Sequence, residues 1–359
     1  MARWCDAGAN HIWLRQDNVM QLCCSLDSNV KEHRVKLQTP AHFLQELKKP
    51  EHIQKYKVLE TQGLPGGLCD ICTDKERVYG DSQRLKINRI TGGNKFFLKI
   101  DFSNKCNLKC VMCHSKRSTA WIKDEQRMNA ILPKNMQIDI DSYNSLRHEW
   151  WYNIPVEWWQ NLGAVEISGG EPLYQEDALA FMDYLSRAVP TCWLRIITNA
   201  TLVNDDTIEM IDRFERVFIM ASVDAWQDDV YRYSRGDHYS IEHVKENIKR
   251  LLRRRNVKME VTDTVHPMTY DQADLGRQWV ESLGARRISY NSQKVYTPHH
   301  LDVDKVLPRS LNPKSSEDKE LQIYFYKWIS ALDKVRGTNV LDIRPEFTEW
   351  FNEMQGEIS

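Results

Sequence analysis

The sequence predicts an α/β fold built on a parallel sheet. Short apolar segments rich in Val and Ile recur from residue 95 onward, and amphipathic helical patterns separate them. Successive strands are therefore joined by helix-length connections, the arrangement of parallel sheets with right-handed crossovers. Six such strands fit either a doubly wound sheet or an open, partial (β/α)6 barrel. In both architectures, functional groups gather at the carboxyl ends of the strands.

Six segments have the length and composition of strands buried on both faces. The first, Lys95 to Phe102, leads directly into a loop that holds three cysteines. The other five are equally short, apolar and rich in β-branched residues, as strands covered on two sides should be. They begin near Gly163, Trp193, Arg216, Val257 and Arg286.

Four helical patterns lie between the later strands. "DALAFMDYLSRA", "DDTIEMIDRF", "SIEHVKENIKRLLRR" and "QADLGRQWVESLG" precede the third to sixth strands in that order. Gly284 stands where it can end the last of these helices. In the third pattern, apolar residues at helical spacing predict one buried face. They are Ile241, Val244, Ile248, Leu251 and Leu252.

Three domains are predicted from these patterns. Residues 1–90 lack the alternation of strands and helices and hold five of the nine cysteines, so we expect a small cysteine-ligated domain there. Residues 91–300 form the partial barrel. Residues 301–359 contain two amphipathic stretches, which predict a helical C-terminal tail without assigned chemistry.

Charge and targeting patterns narrow the class of protein. The formal net charge is −1 and the charges are interspersed, so no global field draws the chain to nucleic acid or to an anionic membrane. The first residues lack the order of a signal peptide, and the sequence has no run of about twenty apolar residues. We therefore expect a cytoplasmic protein. In a reducing compartment, closely spaced cysteines indicate metal ligation rather than disulfides.

Cys106, Cys110 and Cys113 follow the first strand within one short loop. A structural zinc site needs four nitrogen or sulfur ligands, and His114 is the fourth candidate in this stretch. Because His114 is adjacent to Cys113, binding of both to one tetrahedral ion would be awkward. Three cysteines alone suit a four-iron cluster in which one iron stays open for a small molecule.

The spacing C-x3-C-x2-C in "CNLKCVMC" resembles the signature of the radical S-adenosylmethionine enzymes. Three later segments resemble that family's cofactor-binding positions in the same order. "SGGEP" resembles its glycine-rich segment, "ITNAT" the strand end that meets the ribose, and "SVD" with "SRG" the contacts to ribose and carboxylate. The residue before the third cysteine, near the adenine, is usually aromatic in the family and is methionine here. The implied cofactor-binding residues are Ser168, Gly169, Gly170, Glu171, Pro172, Thr198, Asn199, Ser222, Asp224, Arg235 and Met112.

The resemblance also implies a reaction. A reduced [4Fe-4S] cluster on the three cysteines passes one electron to the sulfonium of S-adenosylmethionine, which splits into methionine and a 5′-deoxyadenosyl radical. That radical takes a hydrogen atom from the substrate. The cofactors carry this chemistry, and the protein supplies positioning. The family expectation for the electron donor is a flavodoxin or a ferredoxin.

The N-terminal cysteines resemble the auxiliary-cluster modules called SPASM and twitch. In those modules a cysteine, a strand-turn-strand, a second cysteine and a distant C-x2-C hold a second [4Fe-4S] cluster, although the module normally follows the core domain. The turn at "QDN" favours Cys23 over Cys24 as the second ligand. A zinc site on the same residues is the alternative. The predicted ligands are Cys5, Cys23, Cys69 and Cys72.

Enzymes with such modules commonly modify peptides or proteins, so the resemblance implies a peptide or protein substrate. The alternatives are a small molecule, a nucleotide or RNA, and the nearly neutral charge counts against RNA. A non-catalytic metal-binding scaffold is the hypothesis from another class. Several tryptophans follow the cysteine loop and fit helix packing better than the wall of a substrate cleft. They are Trp121, Trp150, Trp151, Trp158 and Trp159.

Overall fold

The computed structural model describes residues 11–21, 34–37, 42, 70–92, 95–140, 150–295 and 298–358. Their strands belong to one sheet. The strands are β1 (His11–Leu14), β2 (Val19–Gln21), β3 (Arg34–Lys36), β4 (Phe96–Asp101), β5 (Leu162–Ser168), β6 (Trp193–Thr198), β7 (Val217–Ser222), β8 (Val257–Val265) and β9 (Ile288–Lys294).

The helices alternate with the strands from β5 onward and then follow the last strand. The helices are α1 (Asp70–Tyr79), α2 (Gln83–Thr91), α3 (Ile122–Asn129), α4 (Val156–Trp159), α5 (Glu176–Ala188), α6 (Asp205–Asp212), α7 (Asp228–Arg235), α8 (Ile241–Leu252), α9 (Ala273–Ser282), α10 (Val303–Val306), α11 (Lys319–Arg336), α12 (Val340–Ile343) and α13 (Thr348–Ile358). Short 3₁₀ turns lie between several of them, among them Pro172–Tyr174.

The sheet has the strand order β3-β2-β1-β4-β5-β6-β7-β8-β9 and does not close on itself. The pairs β4 with β5, β5 with β6 and β8 with β9 are parallel, as helix-length connections require. The predicted fold class is therefore confirmed as an open, mostly parallel α/β sheet of the partial-barrel type with a helical C-terminal tail.

Three strands from the N-terminal part of the chain extend this sheet. β1 runs parallel to β4, so that Ile12 lies opposite Leu98, and β1 and β2 are antiparallel. The backbone N–H of Asn18 closes the turn between β1 and β2 on the carbonyl of Arg15 at 3.0 Å. The strand-turn-strand predicted around Gln16 is thus present. The sequence patterns did not predict its attachment to the barrel sheet.

The predicted elements of the barrel are present, with one correction. All six predicted strands form, as β4 to β9, and the predicted apolar face of α8 is buried. Gly284 follows α9 with a φ of +58° and donates its N–H to the carbonyl of Glu281, which ends the helix as predicted. The expectation that every strand is buried on both faces is wrong for β9. This strand is largely exposed because it ends the sheet and pairs with β8 alone.

Contacts divide the chain into two compact units. The first comprises Met1–Asn104, Tyr143–Ile197 and Asn204–Phe218, and the second comprises Lys105–Ser142, Thr198–Val203 and Ile219–Ser359. The domain boundaries predicted near residues 90 and 300 remain predictions. In the described residues, no helix is both long and apolar enough to cross a membrane.

Aromatic side chains fill the core of the first unit. Trp151 and Trp159 are fully buried, and their rings lie 5.3 Å and 5.5 Å from that of Phe181. Trp151 also meets Phe102 edge-on at 5.8 Å. The packing interpretation is confirmed for these two tryptophans, since burial of large rings stabilises a core.

The C-terminal helices build the core of the second unit. The buried face of α11, which includes Phe325 and Trp328, packs with Trp350 of α13 and with Trp121, which precedes α3. The rings of Phe325 and Trp350 stack at 5.9 Å. The two predicted amphipathic stretches are therefore packing helices, and the segment after the cysteine loop packs against them.

Candidate active site

The cysteine loop is a compact turn in the second unit. The backbone N–H of Cys113 donates to the carbonyl of Cys110 at 2.8 Å, which draws the last two cysteines together. Burial raises the pKa of the Cys113 thiol, and the neighbouring Cys110 and Cys106 raise it further. Burial likewise raises the pKa of Cys110. Cys110 is buried, and Cys106 and Cys113 are partly buried. The three thiols form a donor set for a cluster, which would stabilise their thiolates.

A four-iron cluster and a single zinc ion require different arrangements of ligands in the cysteine loop. Among the described residues, no three His, Cys, Asp or Glu side chains are arranged around one ion. A mononuclear zinc site on the three cysteines and His114 would need that arrangement. A four-iron cluster spreads its thiolate ligands over different irons, so its ligands stand farther apart.

The "ITNAT" segment lies against the cysteine loop in the second unit. The side-chain amide of Asn199 donates to the Asn107 amide oxygen at 2.9 Å, and Asn107 donates to the Thr201 hydroxyl at 2.9 Å. Asn107 lies within the cysteine motif, directly after Cys106. Between the two anchored residues, Ala200 has a φ of +57°, a backbone conformation that is uncommon for alanine. This turn at the end of β6 is thus held in a strained conformation beside the cysteines.

Ser222, Asp224 and Arg235 also meet in the second unit. The Arg235 guanidinium forms an ion pair with Asp224 at 2.8 Å and donates to the carbonyl of Ser222. Asp224 is 1% exposed and has a φ of +71°. Burial raises the pKa of Asp224, and Arg235 opposes that rise. Left-handed backbone at a buried, paired aspartate is a feature of functional sites.

The end of α7 connects this ion pair to the cysteine loop. The backbone N–H of Val111 donates to the carbonyl of Ser234 at 2.7 Å, and the sulfur of Cys110 lies 4.0 Å from the carbonyl oxygen of Arg235. The Nε of Arg235 is buried and has no hydrogen-bond partner. A buried donor without a partner is costly. Its satisfaction by a ligand carboxylate fits the role that the family resemblance implies.

Asp263 on β8 supports the same region, and sequence patterns did not single it out. One carboxyl oxygen accepts the backbone N–H of Asp224 at 3.1 Å. The other accepts the indole N–H of Trp226 at 2.7 Å and the hydroxyl of Tyr290 at 2.6 Å. Burial raises the pKa of Asp263 to about 6, although the hydrogen bonds from Tyr290 and Trp226 oppose the rise. Asp263 therefore holds the strained backbone of Asp224 in place.

The glycine-rich segment after β5 belongs to the first unit. A Cβ at Gly169 would lie 2.6 Å from the Cβ of Asp101, and Gly169 has a φ of +79°, so no other residue fits there. The Ser168 hydroxyl donates to Asp101. Glu171 is buried and accepts the backbone N–H of Leu173 at 3.0 Å, capping the short helix that begins at Pro172. Gly170 also has a positive φ, of +52°.

Helix α11, in the C-terminal part of the chain, contacts the cysteine loop through Arg336. Arg336 pairs with Asp124 at 2.9 Å and donates to the carbonyl of Lys109 at 2.7 Å. Lys109 pairs with the same carboxylate at 3.0 Å. The indole N–H of Trp121 donates to the carbonyl of Cys110 at 2.8 Å. These supports were missed because the C-terminal helices were given no role beyond packing.

The other predicted residues are two cofactor-binding candidates in the second unit, two cysteines in the first unit, and cysteines that lie outside the described residues. Thr198 accepts the backbone N–H of Ala200 at 3.0 Å, and Met112 is half-buried against the core of the second unit. Cys72 lies on α1 and is half-buried. Cys192, interpreted as a small apolar core residue, is fully buried, and burial raises its pKa to about 12. The predicted ligands Cys5, Cys23 and Cys69, and the alternative ligand Cys24, lie outside the described residues.

A family comparison agrees with this site. The sequence model of the Radical SAM superfamily matches residues 100–274, which is just under half of the chain. The match contains the cysteine loop and each of the motifs described above. The match indicates a class of protein for these residues, the enzymes that use S-adenosylmethionine for radical chemistry. Residues 100–274 thus resemble the radical SAM domain, and the enzymes of that family use a [4Fe-4S] cluster and S-adenosylmethionine.

The solved structures to which this chain is similar include SuiB of Streptococcus suis bound to its precursor peptide SuiA. It is 14% identical, with a TM-score of 0.39 over 97% of this chain and 75% of the other. Native anSMEcpe with bound AdoMet is 14% identical, with a TM-score of 0.40 over 68% of this chain and 62% of the other. TYW1 with a lysine-pyruvate adduct is 15% identical, with a TM-score of 0.35 over 80% and 90%. The comparison with curated proteins finds no match.

Proposed function

We propose that this enzyme cleaves S-adenosylmethionine reductively and abstracts a hydrogen atom from a peptide or protein substrate. The observation that carries the proposal is the convergence, within one unit, of the cysteine loop, the turn at Asn199 and the buried pair of Asp224 and Arg235. When bound, the cluster and S-adenosylmethionine supply cleavage of a carbon-sulfur bond, which gives methionine and a 5′-deoxyadenosyl radical.

The residues of the chain bind and orient the cofactors in this proposal. Cys106, Cys110 and Cys113 provide three thiolates and leave the fourth iron for S-adenosylmethionine. The buried guanidinium of Arg235 offers its Nε–H to the carboxylate of the cofactor. A charge-assisted hydrogen bond in a buried site is stronger than one in water. Asn199 is buried beside the loop, and we propose that it contacts the ribose.

The glycine-rich segment is proposed to bind the amino group of S-adenosylmethionine. Gly169 and Gly170 carry no side chains, so a ligand can approach the backbone of this segment closely. Thr198, Ser222 and Met112 complete the proposed binding residues, with Met112 beside the adenine.

We also propose a second [4Fe-4S] cluster on Cys5, Cys23, Cys69 and Cys72. The proposal rests on the spacing of these cysteines and on the hairpin of β1 and β2, which precedes the second of them as the module resemblance requires. The peptide or protein substrate class rests on the same resemblance, as does a flavodoxin or ferredoxin as the electron donor.

Iron content and spectroscopy test the cluster assignments. We expect about eight irons in the anaerobically reconstituted protein and about four after Cys106, Cys110 and Cys113 are all changed to Ala. Addition of S-adenosylmethionine should alter the electron paramagnetic resonance spectrum of the reduced protein but not that of the triple variant. An unaltered spectrum of the parent protein would contradict the proposed cofactor site. About four irons in the parent protein would contradict the second cluster only.

Deuterium transfer tests the substrate class. The reduced enzyme is incubated with S-adenosylmethionine and a perdeuterated pool of tryptic peptides, and the isolated 5′-deoxyadenosine is analysed by mass spectrometry. We expect deuterium in the product, because the radical takes its hydrogen atom from the substrate. A perdeuterated pool of nucleosides is the matched control. Deuterium from the nucleosides alone would overturn the peptide proposal.

A further inference from the structure

The second unit contains a cavity of about 340 Å³ beside the cysteine loop. Cys113 and Glu125 lie on one side, and His300, Tyr324 and Trp328 lie on the C-terminal side. The volume falls within the range of small-molecule sites, roughly 300 to 1,000 Å³. Cys113, a proposed ligand of the cluster, lines this cavity, whereas none of the residues proposed to contact S-adenosylmethionine is among its described lining residues.

Two buried polar atoms at the cavity have no hydrogen-bond partner. Glu125 is 1% exposed, and its Oε1 accepts the backbone N–H of Ser115 at 2.8 Å, whereas its Oε2 is unpartnered. The Nε2 of His300 is likewise buried and unpartnered. Polar atoms buried at this level nearly always have partners. Both atoms belong to residues that line one cavity, which makes a ligand in that cavity a candidate partner for them.

The chemistry of the walls selects a cation as that ligand. Glu125 is the charged side chain among the described lining residues, which include no Lys or Arg. Burial lowers the pKa of His300 to about 3, with a further contribution from His299, so the imidazole is neutral. A buried carboxylate that finds no counter-charge among the described lining residues is costly. A bound cation would remove that cost.

Aromatic rings make the site suited to an organic cation. The ring of His300 lies 4.8 Å from the rings of Tyr324 and Trp328, and Trp328 lies 6.3 Å from Trp121. Faces of Trp and Tyr attract ammonium and guanidinium groups. A metal ion is not favoured, because no three potential ligands among the described residues converge on one point.

We propose that this cavity binds an alkylammonium or guanidinium group, with Glu125 as its counter-ion, His300 as a second hydrogen-bond partner and Trp121, Tyr324 and Trp328 as aromatic walls. The group is either a free amine or the side chain of a Lys or Arg residue in a peptide. The site does not depend on the radical reaction proposed above, because binding there requires no turnover.

Calorimetric titration of the anaerobically reconstituted protein, without reductant, tests this site. The probes are Nα-acetyl-lysine methylamide, its neutral isostere Nα-acetyl-norleucine methylamide, and n-pentylamine. We expect the capped lysine or the amine to bind at least about tenfold more tightly than norleucine. Tighter binding of capped lysine would assign the site to a peptide residue, and tighter binding of n-pentylamine would assign it to a free amine.

Substitution identifies the counter-ion. Glu125→Gln keeps an acceptor for Ser115 and removes the charge, so it should weaken binding of the preferred probe at least about tenfold. Glu349→Gln, an exposed glutamate on α13, is the control and should bind like the parent protein. Equal binding of the charged and neutral probes would overturn the proposal, as would unchanged binding by Glu125→Gln. If Glu125→Gln fails to fold, the comparison of the charged and neutral probes on the parent protein tests whether the cavity binds a cation.

Discussion

Asp224 and Arg235 form an ion pair at 2.8 Å in which both side chains are buried. Such a pair adds little stability relative to apolar residues, but loss of one partner leaves the other charge buried and unpaired. The left-handed backbone of Asp224 adds roughly 1 to 3 kcal/mol of strain, which its hydrogen bonds to Asp263 and Thr264 offset. This arrangement costs energy, and we interpret the cost as the consequence of positioning Arg235 for a ligand.

Removal of the negative charge of Asp224 should therefore lower the free energy of unfolding. We expect Asp224→Asn to lower the free energy of unfolding by about 3 to 5 kcal/mol, because Arg235 loses its counter-ion in a buried site. Urea denaturation measures the change. Asp237→Asn, at a side chain that is 82% exposed, is the control and should change stability by less than about 0.5 kcal/mol. Similar changes in the free energy of unfolding for the two substitutions would contradict the role of Asp224 as the buried counter-ion of Arg235.

Asp263 should make stability depend on pH. Its pKa is about 6 in the folded protein, above the ordinary value near 4, so the folded state binds more protons between these values. Its contribution is present at low pH and is lost as pH rises through about 6. Between pH 5 and 7, the unfolding free energy of the parent protein relative to Asp263→Asn should fall by about 1 kcal/mol. A pH-independent difference, measured by urea denaturation, would refute this.

Of the individual residues of the candidate site, the sequence predicted only those that lie in motifs. Asp224 and Arg235 were found because "SVD" and "SRG" resemble known positions. Asp263 and Arg336 were not found, because their partners Asp224 and Asp124 are 39 and 212 positions away in the chain. No local pattern marks a residue whose role comes from such distant contacts.

Among the elements, helix α9 packs unusually closely on Trp226. A Cβ at Gly276 of this helix would lie 2.2 Å from the indole nitrogen of Trp226 and 2.7 Å from the ring of Tyr290. Both of these side chains donate to Asp263, so the contact connects the helix to the support of the candidate site.

Alanine at this helical glycine should destabilise the protein. Helix propensity alone would favour Ala over Gly by about 1 kcal/mol. We expect Gly276→Ala instead to cost about 1 to 3 kcal/mol, because the added methyl group displaces Trp226. Gly356→Ala on α13, where nothing lies within 4 Å of the new Cβ, is the matched control and should be neutral or stabilising. Thermal unfolding of both variants measures the change in stability. Stabilisation by Gly276→Ala would contradict the prediction and show that the helix can shift away from Trp226.

The elements themselves were largely predictable. Six strands and the apolar face of α8 followed from periodicity, because each lies in a run long enough to show its period. The pairing of β1 with β4 did not follow, since β1 has four residues and nothing in its sequence specifies a partner. The exposure of β9 was missed because composition does not tell a central strand from an edge strand.

At the scale of the whole molecule, the second unit joins the cysteine loop to the C-terminal helices. Arg336 ends α11 and bonds both Asp124 and the carbonyl of Lys109. It also lies 4.5 Å from the ring of Trp121, which bonds Cys110. The C-terminal tail is therefore a support for the loop that is proposed to hold the cluster.

Loss of this support should lower both stability and iron content. We expect Arg336→Leu to cost about 1 to 3 kcal/mol and to reduce the iron retained after reconstitution, since Asp124 keeps Lys109 but loses its bond to Arg336, and the carbonyl of Lys109 loses its donor. The control is Lys319→Leu, on the same helix as Arg336. It removes exposed pairs with Glu353 and Glu357 of α13 and should cost less than about 1 kcal/mol. Urea denaturation and iron analysis provide the two readouts. Full iron content in a destabilised Arg336→Leu would show that the helix stabilises the fold without supporting the loop.

The central claim is that Cys106, Cys110 and Cys113 enable reductive cleavage of S-adenosylmethionine. Quantification of 5′-deoxyadenosine by liquid chromatography, after addition of dithionite to the anaerobically reconstituted protein, tests it most directly. We predict product from the parent protein and from Cys192→Ala, in which the altered cysteine is a buried core residue, and none from the variant with all three loop cysteines changed to Ala. Equal product from the triple variant, or no product from the parent protein with any reductant, would contradict the claim.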